Sequence, residues 1–357
     1  MTERKMAVIK KIDGVSAIPD ADKICAYQVG GWWVVDQVGK YSVGDLAVYC
    51  EIDSFIPTTI APFLTKPDNY PKVFEGVQGE RLRTVRLRGQ ISQGLLLPIP
   101  TGDNFDVGRL AFEISTGAIK EGDDVSDVFG IKKYEAPIPS NLGGEVKGMF
   151  PGYIPKTDQE RIQNLKAELA EWIRLGYTFE RTEKLDGTSM TVFMVDGTFS
   201  ICSRNLELKP NPDNSMFKAA ADQNLMEILT LLNTLSPRNL ALQGELIGNG
   251  IQGNKYKYTG QEFRVFDIWN IDAKRYFTPA ERKEFVTELD IKHVPVMASA
   301  VKLDGLTIDD LLKMAEGKSV MGDITGPERE GDVYKCNENP EVSFKVISNK
   351  FLIKNGD

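Results

Sequence analysis

Glu183-Lys184-Leu185-Asp186-Gly187-Thr188-Ser189 is the stretch from which the rest of the chain can be read. A lysine two residues ahead of an Asp-Gly turn can sit at the mouth of a sheet on rigid neighbours, where its amine can act as a nucleophile. The pattern alone decides little, because Lys-x-Asp-Gly recurs at Lys11-Ile12-Asp13-Gly14 and Lys302-Leu303-Asp304-Gly305. The residues downstream of each copy separate the three. Lys302 leads into Leu306-Thr307-Ile308-Asp309-Asp310-Leu311-Leu312, which reads as a capped helix. Lys11 lies in the alternating run Ala7-Val8-Ile9-Lys10-Lys11-Ile12, and its Asp-Gly reads as a strand-end turn. Lys184 precedes five clusters in order: Ser203-Arg204-Asn205, Gln243-Gly244-Glu245-Leu246, Phe266-Asp267-Ile268-Trp269, Glu330-Gly331-Asp332-Val333 and Ser343-Phe344-Lys345.

Composition narrows the chemistry. A length of 357 residues suggests two domains. No apolar run approaches the roughly 18 residues of a membrane span, and Met1-Thr2-Glu3-Arg4-Lys5 leads into no signal-peptide core. A cytoplasmic protein is expected, or in a eukaryote a nuclear or organellar one. The four cysteines (Cys25, Cys50, Cys202, Cys336) show no Cys-x-x-Cys spacing, which argues against a disulfide framework and a structural zinc site. His293 is the only histidine. Ser-His-Asp hydrolysis and imidazole metal sites are therefore excluded, and His293 itself reads as a strand-end residue. Catalysis must run on Lys, Arg, Asp and Glu, and any metal should be an oxygen-liking ion such as Mg²⁺ or Mn²⁺. At a net charge of −8, binding to a polyanion requires locally clustered basic residues.

Along the chain, residues 1–134 read as a β-rich unit of short strands punctuated by turns, as in a small barrel. Four arginines in eight residues (Arg81, Arg83, Arg86, Arg88) stand out there. On a plain strand they face two sides in pairs, whereas a bulge near Thr84 would put all four on one face. They read as a phosphate-tracking strand or as a solvated edge. Residues 135–156, rich in proline and glycine, read as the linker. Residues 157–357 form the second domain. It opens on a helix capped by Asp158, with Ile162, Leu165, Leu169, Trp172 and Ile173 on one face. The hairpin Thr191–Cys202 turns through Asp196-Gly197. A helical insert (213–235), further strands and helices at 279–289 and 307–316 complete it, an α+β pattern with helices over antiparallel sheets.

These clusters fit phosphoryl chemistry. A lysine attacks phosphorus as the free amine, and at pH 7.4 only about one in a thousand is neutral. Lowering its pKa by ~3 units takes about 4 kcal/mol, which a metal together with Lys345 or Arg204 would supply. Asp186, Glu245 and Glu330 suit a largely hydrated Mg²⁺, and Phe266 offers a flat face to a purine. Taken singly, Glu245 and Glu330 also read as turn carboxylates, Phe266 as core and Lys345 as solvent-facing.

As an ordered set, the clusters resemble the covalent nucleotidyltransferases, the ATP-dependent DNA and RNA ligases and mRNA capping enzymes. With Val43-Gly44-Asp45, Glu51-Ile52-Asp53-Ser54-Phe55, Leu87-Arg88-Gly89-Gln90, Ser92-Gln93-Gly94-Leu95-Leu96-Leu97-Pro98 and the run from Pro155 to Asn164, nearly the whole chain looks most like the ATP-dependent RNA ligases of the Naegleria type. The resemblance implies an N-terminal OB-like β-barrel followed by a nucleotidyltransferase domain of antiparallel sheets with flanking helices. It implies ATP and Mg²⁺ or Mn²⁺ as cofactors, Lys184 as the residue that becomes lysyl-AMP, and Asp186, Glu245 and Glu330 around the metal, mainly through its waters. Glu183 would contact the adenosine, Arg204 the ribose and reactive phosphate, Phe266 the adenine and Lys345 the α-phosphate, with Lys156 and Arg161 toward the leaving pyrophosphate. Arg81, Arg83, Arg86 and Arg88 would meet nucleic acid. Many relatives end on Lys-x-Lys, whereas Ile347 stands at the second position here, with Lys350 the nearest substitute. With Asp357 twelve residues after Lys345 (357 minus 345), no downstream OB domain is expected, which favours RNA ligase over DNA ligase or capping enzyme. The expected partner of this monomer is a nicked duplex with RNA on the 3′-OH side, not a membrane. The alternatives are a DNA ligase or other covalent nucleotidyltransferase, and a non-catalytic OB-type RNA-binding protein.

Overall fold

Apolar alternation in the first hundred residues becomes strands, because a period of two puts every second side chain on one face of a sheet. The computed structural model describes residues 4–99, 116–135, 145–321 and 326–355; positions 136–144 of the expected linker lie outside the described residues. Contacts divide the chain into two units. In the N-terminal one, Ala7–Lys11, Leu46–Cys50 and Leu95–Leu97 form one antiparallel sheet, and Gly14–Ala17, Ile24–Val29 and Trp32–Gln37 a second. Lys132–Lys133, Ser54–Pro57, Val77–Arg81 and Lys72–Phe74 make a third, beside a hairpin of Thr84–Leu87 and Gln90–Gln93. Met6, Ala7, Ile9, Val48, Cys50, Ile56, Leu82 and Phe129 form a common core, the larger side chains each contributing roughly 1.5–3 kcal/mol. This is the expected small OB-like unit.

In the C-terminal unit, seven strands run antiparallel in the order Val146–Met149, Leu206–Leu208, Thr198–Cys202, Thr188–Val195, Leu240–Gly248, Gln261–Asn270, Arg275–Tyr276. Helices Ser215–Asp222, Leu225–Leu235 and Pro279–Glu288 share a core with this sheet, including Met190, Leu229, Leu242, Phe263 and Phe285. A five-stranded sheet runs Glu160–Arg161, Ser343–Ile347, Gly331–Cys336, Thr178–Lys184, Val296–Lys302; its first pair is parallel. Trp172, Phe179, Phe344 and Tyr334 stack its interior against the helix Lys166–Arg174, with the Tyr334 and Phe344 rings stacked nearly parallel, their centres 4.8 Å apart. The opening stretch thus straddles two sheets, since Lys184 ends a strand of the five-stranded one and Thr188 begins a strand of the seven-stranded one.

One expectation changes. The opening helix starts at Lys166, and Asp158 does not cap it; residues 160–161 are a strand and 162–164 a short 3₁₀ turn. Parallel pairing with Ser343–Ile347 takes Glu160 and Arg161, in the expected first turn, into a sheet. The Pro/Gly stretch holds an edge strand, Val146–Met149, where one side of the ladder goes unpaired. By their contacts, Gln163–Lys166 and residues 352–355 group with the N-terminal unit.

Charge is buried within the C-terminal unit. Arg282, fully buried, pairs with Glu180, and Lys335 pairs with Asp267, whose other oxygen lies 3.7 Å from Arg282 Nη1. Glu180 is opposite Lys335 across the ladder. The quartet links strands of both sheets to the helix Pro279–Glu288, itself started by a capping box of Thr278 and Glu281. Arg282 Nε also donates to His293 Nε2 at 3.0 Å. The single histidine is therefore a structural acceptor, its pKa pushed down to about 3 by burial and by the Arg282 charge.

Candidate active site

The inter-sheet turn is built by close approach. A β-carbon at Gly187 would lie 2.3 Å from the Leu246 carbonyl oxygen and 2.8 Å from Glu245 Cγ, so only glycine brings the turn onto the strand Leu240–Gly248. Leu185 anchors it in an apolar cluster with Ile247, Tyr256 and Val294. The Gly187 N–H donates to Glu245 Oε1 at 3.1 Å, and the Asp186 N–H donates to Tyr256 Oη at 2.7 Å. Lys184 Nζ then stands 2.8 Å from Glu330 Oε1, with its side chain 27% exposed. Lys184, Asp186, Glu245 and Glu330 are brought together. Lys11 ends a strand of the other unit, and Lys302 precedes the helix Ile308–Met314, capped by Thr307 and Asp310.

Beside Glu330 is a second group. Lys345, on the strand paired with Gly331–Cys336, bonds Asp158 Oδ1 at 2.6 Å, and Arg204 Nη2 is 3.6 Å from Asp158 Oδ2. Lys156 Nζ donates to Asn205 Oδ1 at 2.9 Å, its segment tied down by a bond from Gln243 Nε2 to the Pro155 carbonyl. Arg161 lies opposite Lys345 in the parallel pair but is 6% exposed. Ile347 is core, and Lys350 is spent on Glu316 at 2.8 Å.

Phe266 sits in a β-bulge, since Gln243 pairs with Asp267 and Gly244 with Val265, leaving it without a partner. A bulge re-aims a side chain, and the half-buried ring packs against the cluster of Leu185, Ile247, Tyr256 and Val294. Glu183 is different. Its carboxylate is 1% exposed and accepts the Val320 N–H at 2.9 Å, so the side chain expected at the adenosine is engaged inside the fold.

The electrostatics of the chain's own groups run against a lowered lysine. Burial pushes Lys184 down, but the carboxylates of Glu330, Glu245 and Asp186 push it up by more, and its pKa lies above the ordinary lysine value. Asp158 holds the cations that would lower it, Lys345 and Arg204. Glu245 is pushed up to about 8, mainly by burial, then by Glu330 and Asp186, against the pull of Lys184. Among the described residues no three acidic or imidazole side chains converge closely enough to ligate one ion directly. The three carboxylates crowded about Lys184 do fit a cation held through its own waters, as Mg²⁺ and Mn²⁺ prefer.

The structure adds three residues that the sequence reading missed. Asp158 read as a helix cap. Lys255, ion-paired to Asp186, and Tyr256 sit in a loop whose only signal is the run Asn254-Lys255-Tyr256-Lys257 after glycines. The arginine segment also resolves differently. Arg81 ends one strand and is held by Asp53 at 2.6 Å, over the Tyr134 ring. Arg83, Arg86 and Arg88 are exposed, on the hairpin and just before it, with Arg88-Gly89 forming its two-residue turn at φ +49° and +85°. Neither the flat strand nor a bulge at Thr84 describes them, because the strand breaks at Leu82, whose side chain enters the core.

In comparisons with known proteins, residues 178–347 match the RNA ligase family and residues 6–99 an OB-fold domain. A comparison with curated proteins gave no match. Among solved structures, the chain is similar to Naegleria gruberi RNA ligase with pyrophosphate, at 42% identity over 99% of this chain and 100% of that one, TM-score 0.86. Mutants of that ligase with ATP and Mn and with AMP and Mn are each 42% identical over 98% of both chains, TM-score 0.85. With that identity across nearly its whole length, and with the ligase region following an OB-fold unit, the chain belongs to the RNA ligase family.

Proposed function

We propose that this RNA ligase is ATP-dependent and seals a 3′-hydroxyl to a 5′-phosphate through AMP carried on Lys184, acting on nicks in duplexes with RNA on the 3′-OH side. The observation that carries the reading is Lys184 Nζ at the inter-sheet turn, hydrogen-bonded to Glu330 with Asp186 and Glu245 close by, beside the cationic group of Lys345, Arg204 and Lys156. The Naegleria ligase complexes with ATP, AMP and Mn support ATP and a divalent ion as its cofactors.

In the first step the deprotonated Lys184 amine attacks the α-phosphorus of ATP. An N–P bond forms and the P–O bond to pyrophosphate breaks. The AMP then passes to a 5′-phosphate end and frees the lysine, and a 3′-hydroxyl displaces AMP to form the phosphodiester. Lys345 and Arg204 would leave Asp158 for the phosphates, and Phe266 would stack on the adenine. A divalent ion, when bound, supplies positive charge at the α-phosphate, and Asp186, Glu245 and Glu330 would hold it through its waters. With phosphate-bound cations nearby, the excess of carboxylates that raises Lys184 is offset.

Radiolabelled ATP tests the first step. Wild type, Lys11→Ala and Lys302→Ala should take up label on the protein, and Lys184→Ala should not. Persistent labelling of Lys184→Ala would refute the nucleophile. Matched nicks that differ only in ribose or deoxyribose at the 3′-OH side test the substrate. Equal sealing of the two would remove the RNA preference.

A further inference from the structure

The loop between the strands Leu240–Gly248 and Gln261–Asn270 is held in an unusual shape. Gln252, Asn254 and Lys257 have φ of +44°, +46° and +52°, a left-handed conformation that side chains other than glycine seldom adopt. Asn254 fixes it, donating to Asn249 Oδ1 at 2.8 Å and the Tyr258 carbonyl at 3.0 Å while accepting the Tyr258 N–H at 3.0 Å. The outcome is that two consecutive residues grip one aspartate. Tyr256 Oη accepts the Asp186 N–H, and Lys255 Nζ is ion-paired with Asp186 Oδ2. The Lys255 ammonium also lies 4.6 Å from the centre of the Phe351 ring. Asp186, like Glu330 with Lys184, thus already carries a cation built into the chain.

We propose that Lys255 is the internal counter-ion of Asp186, and that an arriving hydrated divalent cation competes with it, so that Lys255 sets the metal affinity of the site. The inference rests on reading Asp186 as a metal-holding group. Two cations that compete for one carboxylate weaken each other reciprocally. Lys255 keeps Asp186 neutralised until the metal comes, and the face of Phe351 remains a resting place for the displaced ammonium. A purely structural Lys255, which only fixed the Asp186 rotamer, would do the reverse, and its loss would weaken metal binding.

The test is Mn²⁺ titration of the full-length, nucleotide-free protein, followed by the loss of the free-ion paramagnetic resonance signal. Lys255→Met and Lys255→Gln, which remove the charge, should each bind Mn²⁺ tighter than wild type, on the order of 5- to 150-fold. Lys255→Arg, which keeps the charge, should stay near wild type, and Asp186→Asn should bind more weakly. If Asp186→Asn weakens binding but both neutral variants bind no tighter than wild type, or show no binding at millimolar Mn²⁺, the competition is overturned and the metal reading survives. If Asp186→Asn leaves Mn²⁺ affinity unchanged, the metal reading fails and takes the proposal with it. Two neutral variants guard against one that misfolds, and melting curves identify it.

Discussion

At Gly187 a single hydrogen decides whether the turn closes. An added methyl would meet backbone at 2.3 Å, and the φ of that residue is not the obstacle. Gly187→Ala must therefore push Lys184, Asp186 and Glu245 apart. A displacement near 1 Å at reacting groups can cost about 100-fold in rate, so ATP labelling by Gly187→Ala should slow by about that factor while its melting temperature falls. Labelling at the wild-type rate would show that the turn relaxes without disturbing Lys184. Phe266 is a second such residue. Re-aimed by its bulge and half-buried, it should contribute to nucleotide binding, with Phe266→Ala losing about 1–3 kcal/mol of ATP affinity. Phe266→Leu should lose less. Normal ATP binding by both, with lowered melting, would make Phe266 a core residue.

Among the elements, the arginine hairpin separates charge from structure. Arg83, Arg86 and Arg88 are exposed, whereas Arg81 is held by Asp53 and Tyr134. Each phosphate contact contributes about 0.9 to the slope of log affinity against log salt on duplex. Replacing the three exposed arginines by Gln should flatten that slope by up to about 2.7, and Arg81→Gln should chiefly lower stability. An unchanged slope in the triple variant would take the hairpin out of the nucleic-acid surface. At the helix Pro279–Glu288, burial and then the Arg282 charge keep His293 neutral until pH falls to about 3. The unfolded chain takes up that proton near pH 6.5. Between those values the unfolded state binds more protons, so stability is lost as pH drops from about 6.5 toward 3. His293→Gln keeps an acceptor for Arg282, and between pH 7 and 5 it should lose less stability than wild type, by up to about 2 kcal/mol. Urea unfolding at the two pH values measures this, and parallel losses would assign the proton elsewhere.

Across the whole molecule, the chain order and the compact units do not coincide. Gln163–Lys166 groups with the N-terminal unit, where Asn164 accepts the Trp32 indole N–H at 2.6 Å and donates to Glu51 at 2.8 Å. Trp32 is fully buried, so Asn164→Ala should cost about 1–3 kcal/mol for the orphaned donor, with ATP labelling of the folded protein unchanged. A loss of labelling without loss of stability would overturn that separation. Local pattern was enough to single out Lys184 among three Lys-x-Asp-Gly copies, and to read the α+β class and the β-rich first unit, because order along the chain and a period of two are local properties. It marked Asp186, Glu245 and Glu330 as a set but assigned Asp158 to a helix cap, because the pairing that makes residues 160–161 a strand lies almost two hundred positions downstream at Ser343–Ile347. Nor did it reveal Lys255, which reaches Asp186 only through a left-handed loop, or the fate of the four arginines, with Arg81 ending one strand and the others on or just before a separate hairpin. Which charges come together at Lys184 depends on the folded chain. Coulombic partners are chosen by distance in space, and there the carboxylates around Lys184 outnumber the cations that the sequence had assigned to it.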